Sequence, residues 1–158
     1  KIFPKMTLLH SNHSSLIYRR ALKHGMPRAY LRSYNEFLQV GPGWKWVDDL
    51  TFKLSDGSKV FATHGMAADG LKLSMQMGCH TIQGHFHSKA AINYFSNPSQ
   101  LVWSLQVGCL TKQSSLAFQY ARNFKMRFII STGAIINGQP VLYPMQLNDN
   151  GRWTGELV

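Results

Sequence analysis

Three short polar segments, each directly after an apolar run of strand length, constrain the fold of this 158-residue chain more than any other feature. They are Asn12-His13, His64-Gly65 and Gly84-His85-Phe86-His87. Loops that follow strands are the usual place for functional side chains, because the scaffold beneath them holds them in position. We therefore expect an α/β fold with a site built at the strand ends.

Apolar periodicity places the elements around these segments. Predicted strands cover residues 5–9, 80–84, 90–95, 101–108 and 127–136. Leu50, Phe52 and Leu54 alternate with polar residues, and the Asp56-Gly57 turn signal then predicts a hairpin with a strand at 59–63. Asn137-Gly138 predicts a second hairpin, into a proline-interrupted edge strand at 141–147.

Three helices are predicted, from Ser14 or Ser15 to about His24, from Pro27 to about Val40, and over residues 69–78 with Asp69 at the start. In the second of these, one apolar stripe is expected to pack in the core: Tyr30, Leu31, Tyr34, Phe37 and Leu38. The length of the chain favours a single domain over residues 1–158.

The charge of the chain is strongly positive, at +10. Residues 1–40 carry seven basic residues against Glu36, namely Lys1, Lys5, Arg19, Arg20, Lys23, Arg28 and Arg32. Such an excess favours a polyanionic partner such as nucleic acid. The alternative, which stays open, is an acidic segment before Lys1 that makes the whole protein nearly neutral. Because the opening residue is not Met, we expect the natural start to lie before Lys1.

The sequence also predicts the cellular compartment and whether the protein associates with a membrane. No run approaches the roughly 20 apolar residues of a membrane span, so we expect no membrane partner. Cys79 and Cys109 are too few for a disulfide framework and lack the spacing of a zinc knuckle. They are expected to be buried, reduced thiols of a cytoplasmic protein.

The polar segments contain several metal-binding groups but no carboxylate. His85 and His87 project to the same side if their backbone is extended, and Gly84 before them permits unusual torsions. Asn12 offers an amide oxygen and His13 a proton donor. Hard divalent cations normally need carboxylates, yet no acidic residue lies between Asp69 and Asp149. The segments are therefore expected to form one half of a metal site.

In this order, the three segments resemble the calcineurin-like metallophosphoesterases, whose motifs run D-x-H, G-D-x-x-D, G-N-H-[DE], a strand-end H-G and G-H-x-H. The resemblance covers roughly residues 5–110 and the last three motifs; Gly108-Cys109-Leu110 also resembles the strand that follows G-H-x-H. D-x-H and G-D-x-x-D are absent, and Ser11 and Ser14 stand where the family has Gly and an acid.

The resemblance implies a layered α/β/β/α sandwich that lacks its first βαβ region. It also implies that Asn12, His64 and His85 ligate one metal ion, that His87 ligates the other, and that His13 contacts the phosphate and protonates the leaving group. The cofactors would be two divalent ions, Mn²⁺ first, with Fe, Zn or Ni as the other candidates.

The implied activity is hydrolysis of a phosphodiester or phosphomonoester by a water that the two metal ions activate. The basic residues favour a nuclease or a nucleotide phosphodiesterase over a protein phosphatase. Without the bridging carboxylate, these 158 residues alone are expected to hydrolyse little.

Two alternatives to the enzyme stay open. The first is a catalytically inactive module of the same fold that binds nucleic acid or a protein partner. The second is an accidental similarity, which a fold with His64, His85 and His87 far apart would establish. The oligomeric state is unknown.

Overall fold

The structure is a computed structural model that describes residues 3–111 and 126–157. Its contacts divide the chain into two compact units, Lys1–Leu50 and Thr51–Val158. The described residues form both helices and strands, so the predicted α/β class is confirmed. The single domain and the α/β/β/α sandwich of the metallophosphoesterase type stay predictions.

The first unit is small. It contains β1 (Met6–Leu9), α1 (Leu16–Lys23), a 3-10 turn (Arg28–Tyr30), α2 (Tyr34–Phe37) and β2 (Trp44–Val47). The two strands pair in parallel, with Met6 opposite Trp44. None of its described residues is fully buried, so this unit has a half-buried aromatic cluster in place of a dry core.

The predicted helix over residues 27–40 is wrong, because the chain extends at Leu31, where ψ is 128°. α2 then starts afresh at a capping box, in which Glu36 accepts from the backbone of Ser33 at 2.8 Å and the hydroxyl of Ser33 accepts from Glu36 N. The apolar stripe expected on this helix does not pack in the core either: Tyr30 is 78% exposed and Phe37 is 68% exposed.

The second unit is built on a five-stranded sheet in the order β3-β4-β5-β7-β6. The strands are β3 (Asp49–Lys53), β4 (Lys59–Thr63), β5 (His80–Gln83), β6 (Ala90–Asn97) and β7 (Gln100–Val107). β4, β5 and β7 run parallel, whereas β6 pairs antiparallel with β7 at the edge. The helix α3 (Gly70–Met77) connects β4 to β5, and Asp69 caps it, as predicted.

A second sheet in this unit has three strands, β8 (Ser131–Ile136), β9 (Gln139–Leu147) and β10 (Trp153–Leu157), in the order β10-β9-β8. The predicted hairpin at Asn137-Gly138 is confirmed, but β8 begins at Ser131 and not at 127. The prediction that 141–147 is an edge strand is wrong, because β9 is central. Its prolines are tolerated because β10 pairs beside Met145 and Leu147, beyond both of them.

The side chains of β7 alternate between two layers. Trp103 and Leu105 face the second sheet, where Gly133 lets the backbones approach: a Cβ there would lie 2.9 Å from Leu105 Cδ2. Ser104 and Gln106 face α3, because a Cβ on Gly70 would lie 3.1 Å from Gln106 Cγ. The second unit is thus layered as helix, sheet and sheet. Among the described residues, no helix is both long and apolar enough to span a membrane.

Candidate metal site

The parallel strands bring two of the three polar segments to one edge of the five-stranded sheet. Thr63 pairs with Gln83, and Gln83 pairs with Gln106, so β4, β5 and β7 end side by side. The loops that follow β4 and β5 carry His64 and His85. The carboxyl edge of parallel strands is the usual position of ligand sites in α/β sheets.

His64 and His85 meet at this edge. The distance between His64 Nε2 and His85 Nδ1 is 3.2 Å, and the two rings are nearly perpendicular at 70°. Two imidazole nitrogens bound to one tetrahedral metal ion, each about 2.1 Å from it, stand about 3.4 Å apart. The pair therefore fits one transition-metal ion; without an ion, one ring donates a hydrogen bond to the other.

Gly65 makes this approach sterically allowed. A Cβ at residue 65 would lie 2.3 Å from the Cβ of His85, well inside contact distance. The two loops are also joined by a hydrogen bond of 3.0 Å from Gly84 N to the carbonyl of His64. The glycine beside His64 is therefore required by the neighbouring loop.

The prediction that Gly84 is needed for its unusual backbone torsions is wrong. A Cβ at that residue would lie 3.6 Å from the carbonyl oxygen of His64, which is ordinary contact, and its φ is not positive. The left-handed residue is His85 itself, with a φ of 66°. Non-glycine residues in this region cost about 1–3 kcal/mol and cluster at functional sites.

His87 does not lie in an extended segment with His85, contrary to the prediction. β5 ends at Gln83, and the left-handed torsion of His85 destroys the alternation that would place both rings on one side. The ring of His87 packs against Phe128, with 4.7 Å between ring centroids. Residues 3–111 and 126–157 contain no group of three or more His, Cys, Asp or Glu residues arranged to hold a metal ion. Metal ligation by His87 stays a prediction.

Asn12 and His13 follow β1 in the first unit, on a turn built by serines. The hydroxyl of Ser11 accepts from Ser14 N at 2.8 Å, and the hydroxyl of Ser14 accepts from Ser11 N at 3.0 Å. Asn12 is exposed, and its backbone carbonyl accepts a hydrogen bond from the guanidinium group of Arg19 at 2.8 Å. His13 is half-buried and lines an apolar groove of about 440 Å³. That both join the site in the second unit stays a prediction.

Sequence reasoning missed the residues that hold the loop after β4. Gln83 is 1% exposed, and its Oε1 accepts from Met66 N at 3.2 Å and from Ala67 N at 3.4 Å. Its Nε2 donates to the carbonyl of Ala67 at 2.6 Å. A buried amide must find partners, so a glutamine inside a buried strand was the available signal.

The carbonyl of Ala68 in the same loop has two further donors. Lys89 Nζ lies 2.6 Å from it, and Gln106 Nε2 lies 3.4 Å from it. Lys89 lies in the loop after β5, two residues beyond His87, so its side chain also connects the two loops of the site.

Cys109 lies just beyond the end of β7, beside the same edge. Burial raises the pKa of its thiol, as it does for Cys79, and both cysteines are free and half-buried. Because the thiolate is the reactive form, the raised pKa favours the neutral thiol of Cys109.

His80 is a structural histidine. Its Nδ1 accepts from Trp103 N at 3.1 Å, and the two rings stack with 4.4 Å between centroids. Burial lowers the pKa of His80, and the carboxylate of Asp56 partly opposes this. The neutral ring is therefore the folded form.

Comparison with known proteins adds no family to this description. The chain matches no model of a known protein family, and no curated protein is significantly similar to it. The polar segments and the geometry of His64 and His85 are therefore the features that indicate a function.

Proposed function

We propose that this chain belongs to a metal-dependent phosphoesterase of the calcineurin-like type and supplies the histidine side of its metal centre. The observation that carries the proposal is the 3.2 Å approach of His64 Nε2 to His85 Nδ1 at the carboxyl edge of parallel strands. Two histidines from separate loops meet there through a glycine that no larger residue can replace without displacing one of them.

In this proposal His64 and His85 hold one divalent ion, Asn12 adds an amide oxygen and His87 serves the second ion. Mixed imidazole and oxygen ligation suits Mn²⁺, Fe, Zn or Ni. Two such ions, when bound, polarise a phosphate ester and lower the pKa of a bound water. His13 contacts the phosphate and protonates the leaving group. Because the family's carboxylate motifs are not among these 158 residues, the residues alone hydrolyse little.

A nucleic acid or a nucleotide is the substrate class that the charge favours. Five basic side chains on α1 and in the segment after it are exposed: Arg19, Arg20, Lys23, Arg28 and Arg32. Exposed cations raise the local concentration of a polyanion and release its counterions on binding. This supports a nuclease or nucleotide phosphodiesterase over a protein phosphatase.

The test is Mn²⁺-dependent hydrolysis of a generic phosphodiester and of single-stranded DNA by the complete gene product. His85→Ala is expected to abolish turnover. His24→Ala, at an exposed histidine that ends α1, is the matched control and should retain it. Turnover that survives His85→Ala, or that needs no metal, contradicts the proposal.

The second candidate is a catalytically inactive module of this fold that binds nucleic acid. The observation that favours it is the Ser11–Ser14 hydrogen-bonded turn, which stands where the family has a glycine and an acid that orients the catalytic histidine. A metal-loaded, folded protein without turnover, but with salt-dependent binding of single-stranded DNA, would establish it. The slope of log K against log salt is expected to be about −0.7 per neutralised phosphate.

A further inference from the structure

The side chain of Gln83 forms a three-bond clamp on the loop after β4. It accepts from Met66 N and Ala67 N and donates to the carbonyl of Ala67, all within 3.4 Å. Both residues that it clamps follow Gly65 directly. A side chain in β5 thus determines the path of the loop that starts at His64.

The segment from His64 to Ala67 is consequently held at both ends, by Gln83 in β5 and by Gly84 directly after it. Gly84 N bonds the carbonyl of His64 at 3.0 Å, and Gln83 bonds the other end. Between these anchors lies Gly65, whose backbone is in contact with His85. The position of His64 relative to His85 therefore depends on both anchors.

We propose that Gln83 is a positioning residue of the candidate metal site: its carboxamide fixes the loop after β4 and so holds the imidazole of His64 against that of His85. This inference rests on the proposed function for its use, because metal binding is what needs the two rings in register. Gln83 does not itself touch the ion or the substrate.

The chemistry of the clamp requires a glutamine. It needs an acceptor for two N–H groups and a donor for one carbonyl on the same planar group. A buried methionine supplies no donor and only a weak acceptor. Glutamate has the right length, but its carboxylate lacks the donor and would place an oxygen against the carbonyl of Ala67, now 2.6 Å from Nε2. Asparagine keeps the amide but is one methylene shorter.

Gln106 provides a matched control. It is also buried, at 5% exposure, and lies on the neighbouring strand β7. Its contact with the same loop is one bond of 3.4 Å to the carbonyl of Ala68, which Lys89 also serves at 2.6 Å. Removing the Gln106 amide therefore disturbs a buried strand to a similar degree without releasing the loop.

The experiment is a Zn²⁺ titration of the full chain, with the metal alone as probe, for the wild type, Gln83→Met and Gln106→Met. Loss of residues that orient metal ligands typically weakens affinity by about 10–100-fold. We expect that loss for Gln83→Met and an affinity within about threefold of wild type for Gln106→Met. Equal losses in both variants, or wild-type affinity in Gln83→Met, would overturn the inference. If Gln83→Met does not fold, Gln83→Asn replaces it under the same criteria.

A second readout separates this inference from the proposed function. In metal-free protein, the ¹⁵N signals of His64 Nε2 and His85 Nδ1 report the hydrogen bond between the rings, which lie 3.2 Å apart. A wild type that binds no Zn²⁺ refutes the proposed metal site, whereas the ring signals still test Gln83. Loss of the hydrogen-bond signature in Gln83→Met but not in Gln106→Met supports the positioning role. Its survival in Gln83→Met, or its absence from the wild type, overturns that role.

Discussion

Gly65→Ala is the substitution that tests the geometry of the site most directly. The new Cβ would lie 2.3 Å from His85 Cβ and 2.9 Å from His85 Cγ. Normal carbon–carbon contacts begin near 3.5 Å, so the two loops must separate by about 1.2 Å. The bond between Gly84 N and the carbonyl of His64 resists that separation, so part of the displacement passes to the rings.

Two magnitudes follow from this displacement. Overpacking a tight contact typically costs about 1–3 kcal/mol in the free energy of unfolding. A displacement of about 1 Å at a reacting site typically costs about 10²-fold in rate. We expect Gly65→Ala to lower the free energy of unfolding, measured by urea denaturation, by about 1–3 kcal/mol. It should also weaken Zn²⁺ binding, measured by calorimetry, by more than tenfold, in line with the usual loss of about 10–100-fold.

Gly84→Ala is the control. Its outcome shows whether the G-H-x-H motif or the observed packing identifies the glycine that the site requires. Gly84 belongs to the more conspicuous G-H-x-H segment, yet its Cβ would meet the nearest atom at 3.6 Å. A compatible Gly→Ala change typically shifts stability by about 1 kcal/mol or less. If Gly84→Ala proves more harmful than Gly65→Ala, or if Gly65→Ala binds Zn²⁺ like the wild type, the reasoning is refuted.

Three further predictions concern single side chains. Because burial lowers the pKa of His80, its contribution to the free energy of unfolding is full above the ordinary value of about 6.5 and is lost as pH falls through the lowered value. Urea unfolding at neutral and acid pH should show this loss, and His80→Phe should reduce it; an equal pH dependence in both proteins would contradict the assignment. Asp69→Ala removes the cap that accepts from Lys72 N at 3.1 Å and should cost about 1 kcal/mol, whereas Asp69→Asn should cost less. His85→Asn should abolish Zn²⁺ binding without lowering the thermal midpoint, because Asn tolerates the φ of 66°; a large fall in that midpoint would contradict this.

The sequence could predict those parts of the fold that local signals determine. The helix α3 was predicted over residues 69–78 and is observed at Gly70–Met77, because an aspartate cap and a left-handed Gly78 mark its two ends. The helix predicted over 27–40 does not form, because apolar spacing does not show a break in a helix, whereas the Ser33–Glu36 capping box marks a new start.

The strand order could not be predicted in this way. β6 follows β5 in the chain but lies beyond β7 at the edge, and that choice depends on pairings between distant residues. The central position of β9 could not be predicted for the same reason. Its prolines indicate an edge strand unless it is known that β10 pairs with β9 only beyond them, at Met145 and Leu147.

For the site, the sequence indicated that His64 and His85 follow strands, and the structure brings them together. It did not indicate the left-handed torsion of His85, because a non-glycine residue adopts that conformation under tertiary constraint. Gln83 was passed over because a single amide in an apolar run carries no motif. Its three partners become visible when the loop from Gly65 to Ala67 is folded over it.

The pairing of His64 with His85 also has a consequence for the order in which the chain folds. The two residues are 21 positions apart and close one β-α-β unit, of β4, α3 and β5. Contacts over so short a separation form before the long-range pairings that complete the sheets. The rings can therefore come together while the residues of β8–β10 are still being synthesised. On the proposed function, a metal ion would then find both histidines already in place on the nascent chain. An ion captured at that stage would stabilise the crossover first and provide the later strands with a formed edge on which to pair.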